Sequence, residues 1–312
     1  MRILIASKIH PYFTEKMQQA GHECVEKILK DAAELEPEIP DYDGIVVNSR
    51  FVIGKDFIDK AKRLKFVARI GAGMESIDTE YLEVKGIRWY NSPEGNRQAV
   101  GEHALGMLLC LLNNIHIADR QVRRGQWIRE ENRGTELSGK SVGIVGYGNM
   151  GGAFARCLKG FDTHVIAYDK YKFNYSDEFV CEETLDEIFE QADIVSMHVP
   201  LTVETRAMVD NRFINSFRKN IIIINTSRGK VLNTADLVTN MKSGKVIGAA
   251  LDVLEYESLS FEKIGLENFP EPMQYLIHAD NVILTPHIAG WTVESNRKHA
   301  EVLAEKILKT CF

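Results

Sequence analysis

Residues 140–169 read KSVGIVGYGNMGGAFARCLKGFDTHVIAYD, and the rest of the chain is interpreted around them. Their hydrophobic pattern predicts a buried strand, a tight turn, a helix and a second strand, in that order. The turn contains Gly146, Gly148 and Gly151 with the spacing G-x-G-x-x-G, and the second strand ends at Asp169. This order of elements is typical of a unit that binds a dinucleotide.

The three glycines have different physical roles in such a turn. Gly146 makes the tight connection between strand and helix, Gly148 lets a pyrophosphate approach the backbone, and Gly151 lets the helix pack closely against the strand. The N–H groups at the start of the helix, around Asn149 and Met150, would bind the pyrophosphate. Glycine turns are common, however, and a βαβ unit that binds no ligand is the alternative.

The acidic residue after the second strand indicates which dinucleotide binds. Asp169 lies about 20 residues beyond the glycine turn, where a carboxylate can accept hydrogen bonds from a ribose hydroxyl. The same carboxylate would repel a 2′-phosphate group. We therefore expect NAD as the cofactor, and not NADP.

The composition is that of an ordinary globular protein, with 45% hydrophobic and 26% charged residues among 312. This length corresponds to about two domains. The net charge of −6 argues against non-specific binding to nucleic acid. The N-terminus turns polar too early for a signal peptide, and the longest apolar stretch, 104–112, is too short to span a membrane, so we expect no membrane association.

The cysteines indicate neither a disulfide framework nor a metal site. They are scattered and odd in number, and no C-x-x-C pair occurs. The cytoplasm, which is a reducing compartment, is the simplest location for such a chain. The cysteines are Cys24, Cys110, Cys157, Cys181 and Cys311.

The remainder of the chain predicts two α/β domains. Short apolar runs alternate with helical patterns over 1–95 and again after Asp169, which is typical of parallel sheets covered on both faces. One long helix is expected over 97–124, and its apolar middle suggests burial, either between domains or across a subunit interface. Our hypothesis is a homodimer built on this region. The amphipathic segment 292–309 is expected to complete the first domain, and 258–280 is the least regular part.

Three ionisable residues each follow a different predicted strand of the dinucleotide unit. They are Arg228, Glu257 and His287, and ligands of α/β sheets bind at the carboxyl ends of strands. Arginine can clamp a carboxylate with two hydrogen bonds, histidine titrates near neutral pH, and a neighbouring carboxylate favours the protonated imidazole. Each residue alone also fits a surface or turn position, but together they predict hydride transfer between NAD and a carbonyl compound that carries a carboxylate.

Short motifs beyond the glycine turn are spread along nearly the whole chain. They are GAGMESID (71–78), NSP (91–93), VGE (100–102), HVPLT (198–202), NTSRG (225–229), DV (252–253) and TPHIAG (285–290). As a set, they resemble the D-isomer-specific 2-hydroxyacid dehydrogenase family. The resemblance implies an α/β fold of two doubly wound parallel-sheet domains with a cleft between them. A flavodoxin-like substrate domain would comprise 1–96 plus 291–312, and a Rossmann NAD domain would comprise 97–290.

The resemblance implies a role for each of the three ionisable residues. Arg228 would bind the substrate carboxylate and help to polarise the keto group. His287 would be the acid in reduction and the base in oxidation, and Glu257 would raise its basicity. The chain departs from the family at Ser258, where proline is usual, and 258–280 is longer than the family leads us to expect.

The resemblance also implies residues that bind substrate and cofactor. The backbone amides of Ala72, Gly73 and Met74 would hold the substrate carboxylate, and Asp252 would bind the nicotinamide carboxamide. The remaining cofactor contacts would be His198, Val199 and Pro200 beside the adenine and Thr226 on the nicotinamide side.

Two arginines of the first predicted domain suggest the substrate. Arg50 follows a strand end, and Arg69 immediately precedes the segment 70–73, which contains Gly71 and Gly73. Extra cations suit a doubly anionic substrate, and Arg50 resembles the arginine in the similar loop of phosphoglycerate dehydrogenases. We therefore expect a small anionic 2-hydroxy or 2-oxo acid as substrate, and specifically 3-phosphoglycerate and 3-phosphohydroxypyruvate in serine biosynthesis, as in the short form of that enzyme without a regulatory domain.

Two alternatives stay open at this point. If Arg50 and Arg69 pair with local carboxylates, reduction of glyoxylate or hydroxypyruvate is the nearest enzymatic alternative. An NADH-sensing, corepressor-like binding protein is the alternative from another class. The presence of all three ionisable residues disfavours a protein that only binds.

Overall fold

The structure is a computed structural model of the chain, and it describes residues 1–257 and 269–310. The chain forms two compact units. Within the described ranges, the first unit comprises 1–97 and 291–310, and the second comprises 98–257 and 269–290. Both are α/β units built on parallel sheets, so the predicted fold class is confirmed.

The strands in the described part of the chain are short. They are β1 Arg2–Ile5, β2 Glu23–Glu26, β3 Gly44–Val47, β4 Phe66–Arg69, β5 Arg88–Tyr90, β6 Ser141–Val145, β7 His164–Tyr168, β8 Val180–Glu182, β9 Ile194–Met197, β10 Ile221–Asn225, β11 Val246–Leu251 and β12 Val282–Leu284.

The helices between these strands range from four to 20 residues. They are α1 Tyr12–Gln19, α2 Ala32–Leu35, α3 Lys55–Lys60, α4 Thr79–Val84, α5 Pro93–Leu112, α6 Ile115–Arg123, α7 Asn149–Leu158, α8 Leu185–Gln191, α9 Asn211–Ser216, α10 Thr234–Lys242, α11 Glu271–His278 and α12 Val293–Thr310.

The first unit is a doubly wound sheet with the strand order β2-β1-β3-β4-β5. Neighbouring strands are parallel, and this is the flavodoxin-like order. Side chains of a strand alternate between the two faces, so Leu4 packs towards α3 and α4 whereas Ile3 and Ile5 pack towards α1 and α12. The last helix buries Leu303 and Ile307 in this core, and it therefore belongs to the first unit, as expected.

The second unit has the strand order β12-β11-β10-β9-β6-β7-β8, again with parallel neighbours. This is the Rossmann order extended by one strand, and its strand sequence reverses between β9 and β6. One face packs on α5 and α7 through residues such as Ile144, and the other packs on α8 to α11 through residues such as Val145. Both faces are covered, which explains why these strands read as continuous apolar runs.

The prediction of one helix over 97–124 is wrong. Helix α5 begins earlier, at Pro93, and ends at Leu112, and α6 begins at Ile115. Asn114 separates them with φ 52°, in the left-handed region. Asparagine adopts this conformation more readily than most residues do, so the pair Asn113-Asn114 was a breaking signal inside an otherwise helical pattern.

Several short elements were not predicted. Helices α2 and α4 and strand β8 have only three to six residues, too few to show a hydrophobic period. Helix α11 lies within 258–280, which was expected to be the least regular part. Ser258 and the rest of that segment up to residue 268 lie outside the described residues.

Candidate active site

His287 and Glu257 form a hydrogen-bonded pair in the second unit. Nδ1 of His287 lies 3.2 Å from each carboxylate oxygen of Glu257. About a quarter of each side chain is exposed, so the pair is partly screened from water and still accessible to a ligand. Nδ1 donates its proton to the carboxylate in this arrangement, which makes Nε2 the nitrogen that can exchange a proton.

The loop that carries His287 is held by a buried carboxylate. Asp252 is 1% exposed, and its side chain accepts hydrogen bonds from the hydroxyl of Thr285 at 2.6 Å and from the backbone N–H groups of Ile288 and Ala289 at 2.8 and 2.9 Å. His103, on α5, lies 3.5 Å from the same carboxylate. Asp252 therefore fixes the loop that carries His287.

His287 has an unusual backbone conformation. Its φ is 56°, in the left-handed region that only a few per cent of non-glycine residues adopt. Its N–H group donates to the backbone carbonyl of Asp252 at 2.7 Å and to that of Thr285 at 3.0 Å. Such a conformation costs of order 1–3 kcal/mol and persists only where surrounding contacts hold the residue in it. The contacts with Asp252 hold His287 in it here.

Arg228 follows β10, next to the segment that leads to Glu257. The side-chain amide of Asn225 donates to the Arg228 carbonyl at 3.0 Å, which fixes the backbone of the arginine. A Cβ atom on Gly229 would overlap the carbonyl group of Leu254. The close approach of these two loops therefore requires glycine at 229 and places Arg228 beside the chain that ends at Glu257.

The glycine turn has the geometry that a dinucleotide requires. Gly146 has φ 95°, and a Cβ atom there would lie 2.7 Å from the His198 carbonyl oxygen. A Cβ atom on Gly151 would overlap the Gly146 carbonyl oxygen, whereas Gly148 faces open space. Helix α7 begins with Asn149 and Met150 and has no side-chain cap, so its first amides can bind a pyrophosphate.

Asp169 lies directly beside the glycine turn. One carboxylate oxygen accepts a hydrogen bond from the backbone N–H of Tyr147 at 2.8 Å. The other accepts from the N–H groups of Tyr171 and Lys172 at 2.9 and 3.1 Å. Each oxygen can accept more than one hydrogen bond, so this network orients the carboxylate and leaves capacity for a ribose hydroxyl.

Two buried polar atoms at neighbouring strand ends have no partner in the described part of the protein. They are Nδ1 of His198 and Oγ1 of Thr226. Nε2 of His198 lies 2.8 Å from the hydroxyl of Ser196, and burial lowers the pKa of His198 to about 3, so the ring is neutral at physiological pH. Buried polar groups are rarely left unsatisfied, and both positions were assigned to the cofactor site on sequence grounds, together with Val199 and Pro200. The residues present therefore fit NAD.

The predicted substrate-binding residues lie in the first unit. The backbone N–H groups of Ala72, Gly73 and Met74 donate to no acceptor among the described residues, and all three residues are half-buried. Arg50 is exposed, and its guanidinium forms no ion pair within the described ranges. Arg69 packs against Gly71, where a Cβ atom would lie 2.5 Å from its Nη1.

Sequence reasoning missed the residues that support the site. Thr285 and His103 hold Asp252, and Tyr147 holds Asp169. Thr285 belongs to the TPHIAG motif and Tyr147 to the glycine turn, so their motifs could have indicated a role in the site. His103 lies far from Asp252 in sequence, and nothing in its local pattern indicates the contact. In addition, Oδ1 of Asn96 is buried without a partner in the described residues.

Two further observations concern metal ligands and membrane-spanning helices. In residues 1–257 and 269–310, no three potential metal ligands come together. Among the helices that the structure describes, each is too short or too polar to cross a bilayer.

Comparison with known proteins identifies the class. Residues 105–289 match the family model described as "D-isomer specific 2-hydroxyacid dehydrogenase, NAD binding domain". A hydroxypyruvate reductase of Thermotoga maritima is 36% identical over 278 residues, which cover 88% of this chain and 87% of the relative. The chain therefore belongs to the D-isomer specific 2-hydroxyacid dehydrogenase family, and it contains that family's NAD-binding domain.

A second relative and a solved structure are also similar to this chain. A D-3-phosphoglycerate dehydrogenase of Archaeoglobus fulgidus is 33% identical over 310 residues, covering 99% of this chain and 57% of the relative. The chain thus spans a little over half the length of that protein. A crystal structure of D-lactate dehydrogenase from Aquifex aeolicus, complexed with NAD and lactic acid, aligns with a TM-score of 0.83 at 28% identity, covering 100% of this chain and 95% of the other.

Proposed function

We propose that the protein interconverts a D-2-hydroxy acid and its 2-oxo acid with NAD as the redox partner. The observation that carries this proposal is the His287–Glu257 pair, with Nδ1 at 3.2 Å from both carboxylate oxygens. It lies in the same unit as the NAD-binding fold. A histidine oriented by a carboxylate is a suitable proton donor for a carbonyl oxygen.

When bound, the cofactor would supply the redox chemistry: NADH would give a hydride to the carbonyl carbon in reduction, and NAD⁺ would accept it in oxidation. In reduction, this chain supplies the proton. His287 donates the proton from Nε2 to the carbonyl oxygen, and Glu257 stabilises the positive charge on the imidazole before the transfer. Arg228 binds the substrate carboxylate through two hydrogen bonds. In oxidation, Nε2 of His287 accepts the hydroxyl proton. A placed acid or base of this kind contributes about 10²–10⁴-fold to the rate.

We propose that the residues at the strand ends of the second unit would hold NAD. Gly146, Gly148, Asn149, Met150 and Gly151 would bind the pyrophosphate. Asp169 would bind the adenosine ribose. His198, Val199 and Pro200 would contact the adenine, and Thr226 and Asp252 would contact the nicotinamide side. The unpartnered atoms of His198 and Thr226 support these roles. For Asp252, we propose that the carboxylate contacts the carboxamide in addition to holding the His287 loop.

The substrate carboxylate is bound in the first unit by the amides of Ala72, Gly73 and Met74. Their N–H groups have no acceptor in the described residues, and a row of backbone donors makes a site for an anion. We assign the substrate-binding domain to 1–96 plus 291–312 and the NAD-binding domain to 97–290. The division of the compact units after Arg97 and after Gly290 supports this assignment.

The substrate that we propose is 3-phosphoglycerate, oxidised to 3-phosphohydroxypyruvate in serine biosynthesis. Arg50 supports it, because this exposed cation forms no ion pair within the described ranges and can bind a phosphate. The second candidate is hydroxypyruvate or glyoxylate reduction, favoured by the similarity to a protein named hydroxypyruvate reductase. A corepressor-like role is disfavoured, because a protein that only binds does not need the His287–Glu257 pair.

The test is turnover with NADH and a panel of 2-oxo acids, comparing wild type with Arg50→Ala. We expect phosphohydroxypyruvate to be preferred over hydroxypyruvate, glyoxylate and pyruvate, and Arg50→Ala to raise its KM at least tenfold. Arg88→Ala is the control, since Arg88 is also an exposed cation of the first unit, at the amino end of β5. Preference for hydroxypyruvate or glyoxylate, with Arg50→Ala unchanged, would select the second candidate.

We further propose a homodimer built on the region 97–124. Helix α6 has no buried residue, and it exposes Ile115 and Val122, with Trp127 nearby at 82% exposure. An apolar face of this kind needs a partner, and a second copy of the chain satisfies it symmetrically. The described cysteines are free thiols, which supports a reducing location such as the cytoplasm.

A further inference from the structure

A buried serine in the first unit links the substrate loop to the last helix. Oγ of Ser92 accepts a hydrogen bond from the backbone N–H of Gly71 at 3.1 Å. The same oxygen lies 2.7 Å from Nδ1 of His299, which is on α12. Ser92 is fully buried and His299 is 8% exposed, so water does not compete for these bonds.

His299 contacts Ser92 at two atoms. Its Nδ1 lies 2.7 Å from Oγ of Ser92 and 3.0 Å from the Ser92 backbone carbonyl oxygen. A carbonyl oxygen can only accept a hydrogen bond, whereas a serine hydroxyl can donate or accept. Through Nδ1, the ring therefore holds both the backbone and the hydroxyl of Ser92.

The surroundings of His299 keep the ring neutral and fixed. Burial lowers the pKa of His299 to about 4, although the hydrogen bond to the Ser92 backbone opposes this shift and the Arg69 guanidinium adds to it. Gly95 leaves the space that the ring occupies, since a Cβ atom there would lie 2.7 Å from His299 Nδ1 and 2.8 Å from its backbone nitrogen. The ring is therefore held between α12 and the start of α5.

Residues 91 and 92 make two further hydrogen bonds to the loop that begins at Gly71. The Ser92 N–H donates to the Gly71 carbonyl at 2.8 Å, and the Asn91 side-chain amide donates to the Ala72 carbonyl at 2.7 Å. Gly71 has φ 128°, a conformation accessible essentially to glycine alone. These bonds are made to Gly71 and Ala72, and the N–H groups of residues 72–74 donate to no acceptor in the described part of the chain.

We propose that Ser92 and His299 are positioning residues that set the direction of the substrate-binding amides at 72–74. This inference rests on the proposed function, in which those amides hold the substrate carboxylate. Ser92 fixes the Gly71 peptide, and His299 fixes the serine hydroxyl. Neither residue touches the substrate or the cofactor.

The test is steady-state kinetics with NADH and either hydroxypyruvate or 3-phosphohydroxypyruvate, for Ser92→Ala and for His299→Leu and His299→Asn. Ser92→Ala and His299→Leu should raise the KM of the 2-oxo acid about tenfold, with kcat within about twofold and an unchanged Kd for NADH. His299→Asn should keep the KM close to that of the wild type, because the asparagine amide can both donate to and accept from Ser92.

Tyr90→Phe is the matched control. It removes a buried hydroxyl of the neighbouring strand β5, and this hydroxyl lies 2.7 Å from the Thr310 hydroxyl of α12. We expect wild-type KM for this variant. An unchanged KM in Ser92→Ala, or equal changes in Tyr90→Phe and Ser92→Ala, would overturn the inference. Absence of turnover in the wild type would instead refute the proposed function.

Discussion

His287 shows how one residue depends on contacts from distant parts of the chain. Its left-handed backbone is fixed by Asp252, and Asp252 in turn contacts His103 and Thr285. Its ring is oriented by Glu257. The side chain that we propose to exchange the proton is therefore positioned by a buried carboxylate on one side and a partly exposed carboxylate on the other.

Arg228, Glu257 and His287 could be predicted as site residues from the sequence, because each follows a strand of one parallel sheet. The carboxyl ends of parallel strands lie at the same edge of the sheet, where ligands bind. The supporting contacts could not be predicted. Asp252 meets His103, and Ser92 meets His299, across long separations in sequence. Only the packing of α5 and α12 on their sheets creates these pairs.

The buried His299 predicts how stability depends on pH. Its pKa is about 4 in the folded protein, against roughly 6.5 for an unfolded histidine. As the pH falls from 7 to 5, the unfolded chain takes up a proton that the folded protein does not, so folding loses about 2 kcal/mol from this residue. The loss is expected as a lower midpoint of urea unfolding.

His299→Asn isolates that contribution, since asparagine keeps a hydrogen-bonding group at this position but does not titrate. The urea midpoint of the variant should fall less between pH 7 and pH 5 than that of the wild type. His198 is buried in both proteins and contributes equally to both. Identical pH dependences would show that His299 does not titrate as its burial requires.

At the scale of elements, helix α7 offers a matched pair of glycines. A Cβ atom on Gly151 would overlap the Gly146 carbonyl oxygen, whereas one on Gly152 meets Nη1 of Arg156 at an ordinary 3.8 Å. Gly151→Ala should therefore lower the melting temperature and weaken NADH binding at least tenfold. Gly152→Ala should retain binding and gain up to about 1 kcal/mol of helix stability.

Thermal unfolding and NADH fluorescence titration of both variants measure these effects. Equal behaviour of Gly151→Ala and Gly152→Ala would mean that the close contact between α7 and the glycine turn does not shape the cofactor site. Both glycines are buried in the same helix, so a general intolerance of the helix to alanine would affect the two alike.

The break between α5 and α6 shows where a pattern of apolar residues is insufficient. The interior of α5 packs against the second sheet, but α6 has no buried residue. The hydrophobic pattern predicted one helix instead of two, because the helical spacing of apolar residues continues across residues 113 and 114. The turn at Asn114 separates a core helix from an exposed one.

The exposed helix α6 gives a test of the homodimer. Val122→Glu places a charge on its apolar face and should convert a dimer into a monomer in sedimentation experiments. Val84→Glu is the control, because Val84 is 79% exposed on α4 of the first unit. A monomeric wild type, or a dimer that survives Val122→Glu, would refute an interface on this helix.

At the scale of the whole molecule, both sheet orders agree with the fold class predicted from the sequence. The alternation of strands and helices was sufficient to predict parallel sheets, because parallel strands need crossover connections. The motif that begins at residue 140 and the resemblance to a family supplied the Rossmann assignment. The edge strand β8 was missed, since three residues carry little pattern.

The most direct test of the proposed chemistry compares the wild type with His287→Gln, using NADH and the preferred 2-oxo acid. We predict that the wild type oxidises NADH with the substrate present. His287→Gln should bind NADH with unchanged affinity and lose at least 100-fold in kcat, as expected for removal of a placed proton donor. A His287→Gln variant that keeps wild-type kcat, or a wild type that binds NADH tightly and reduces none of the 2-oxo acids, would contradict the account.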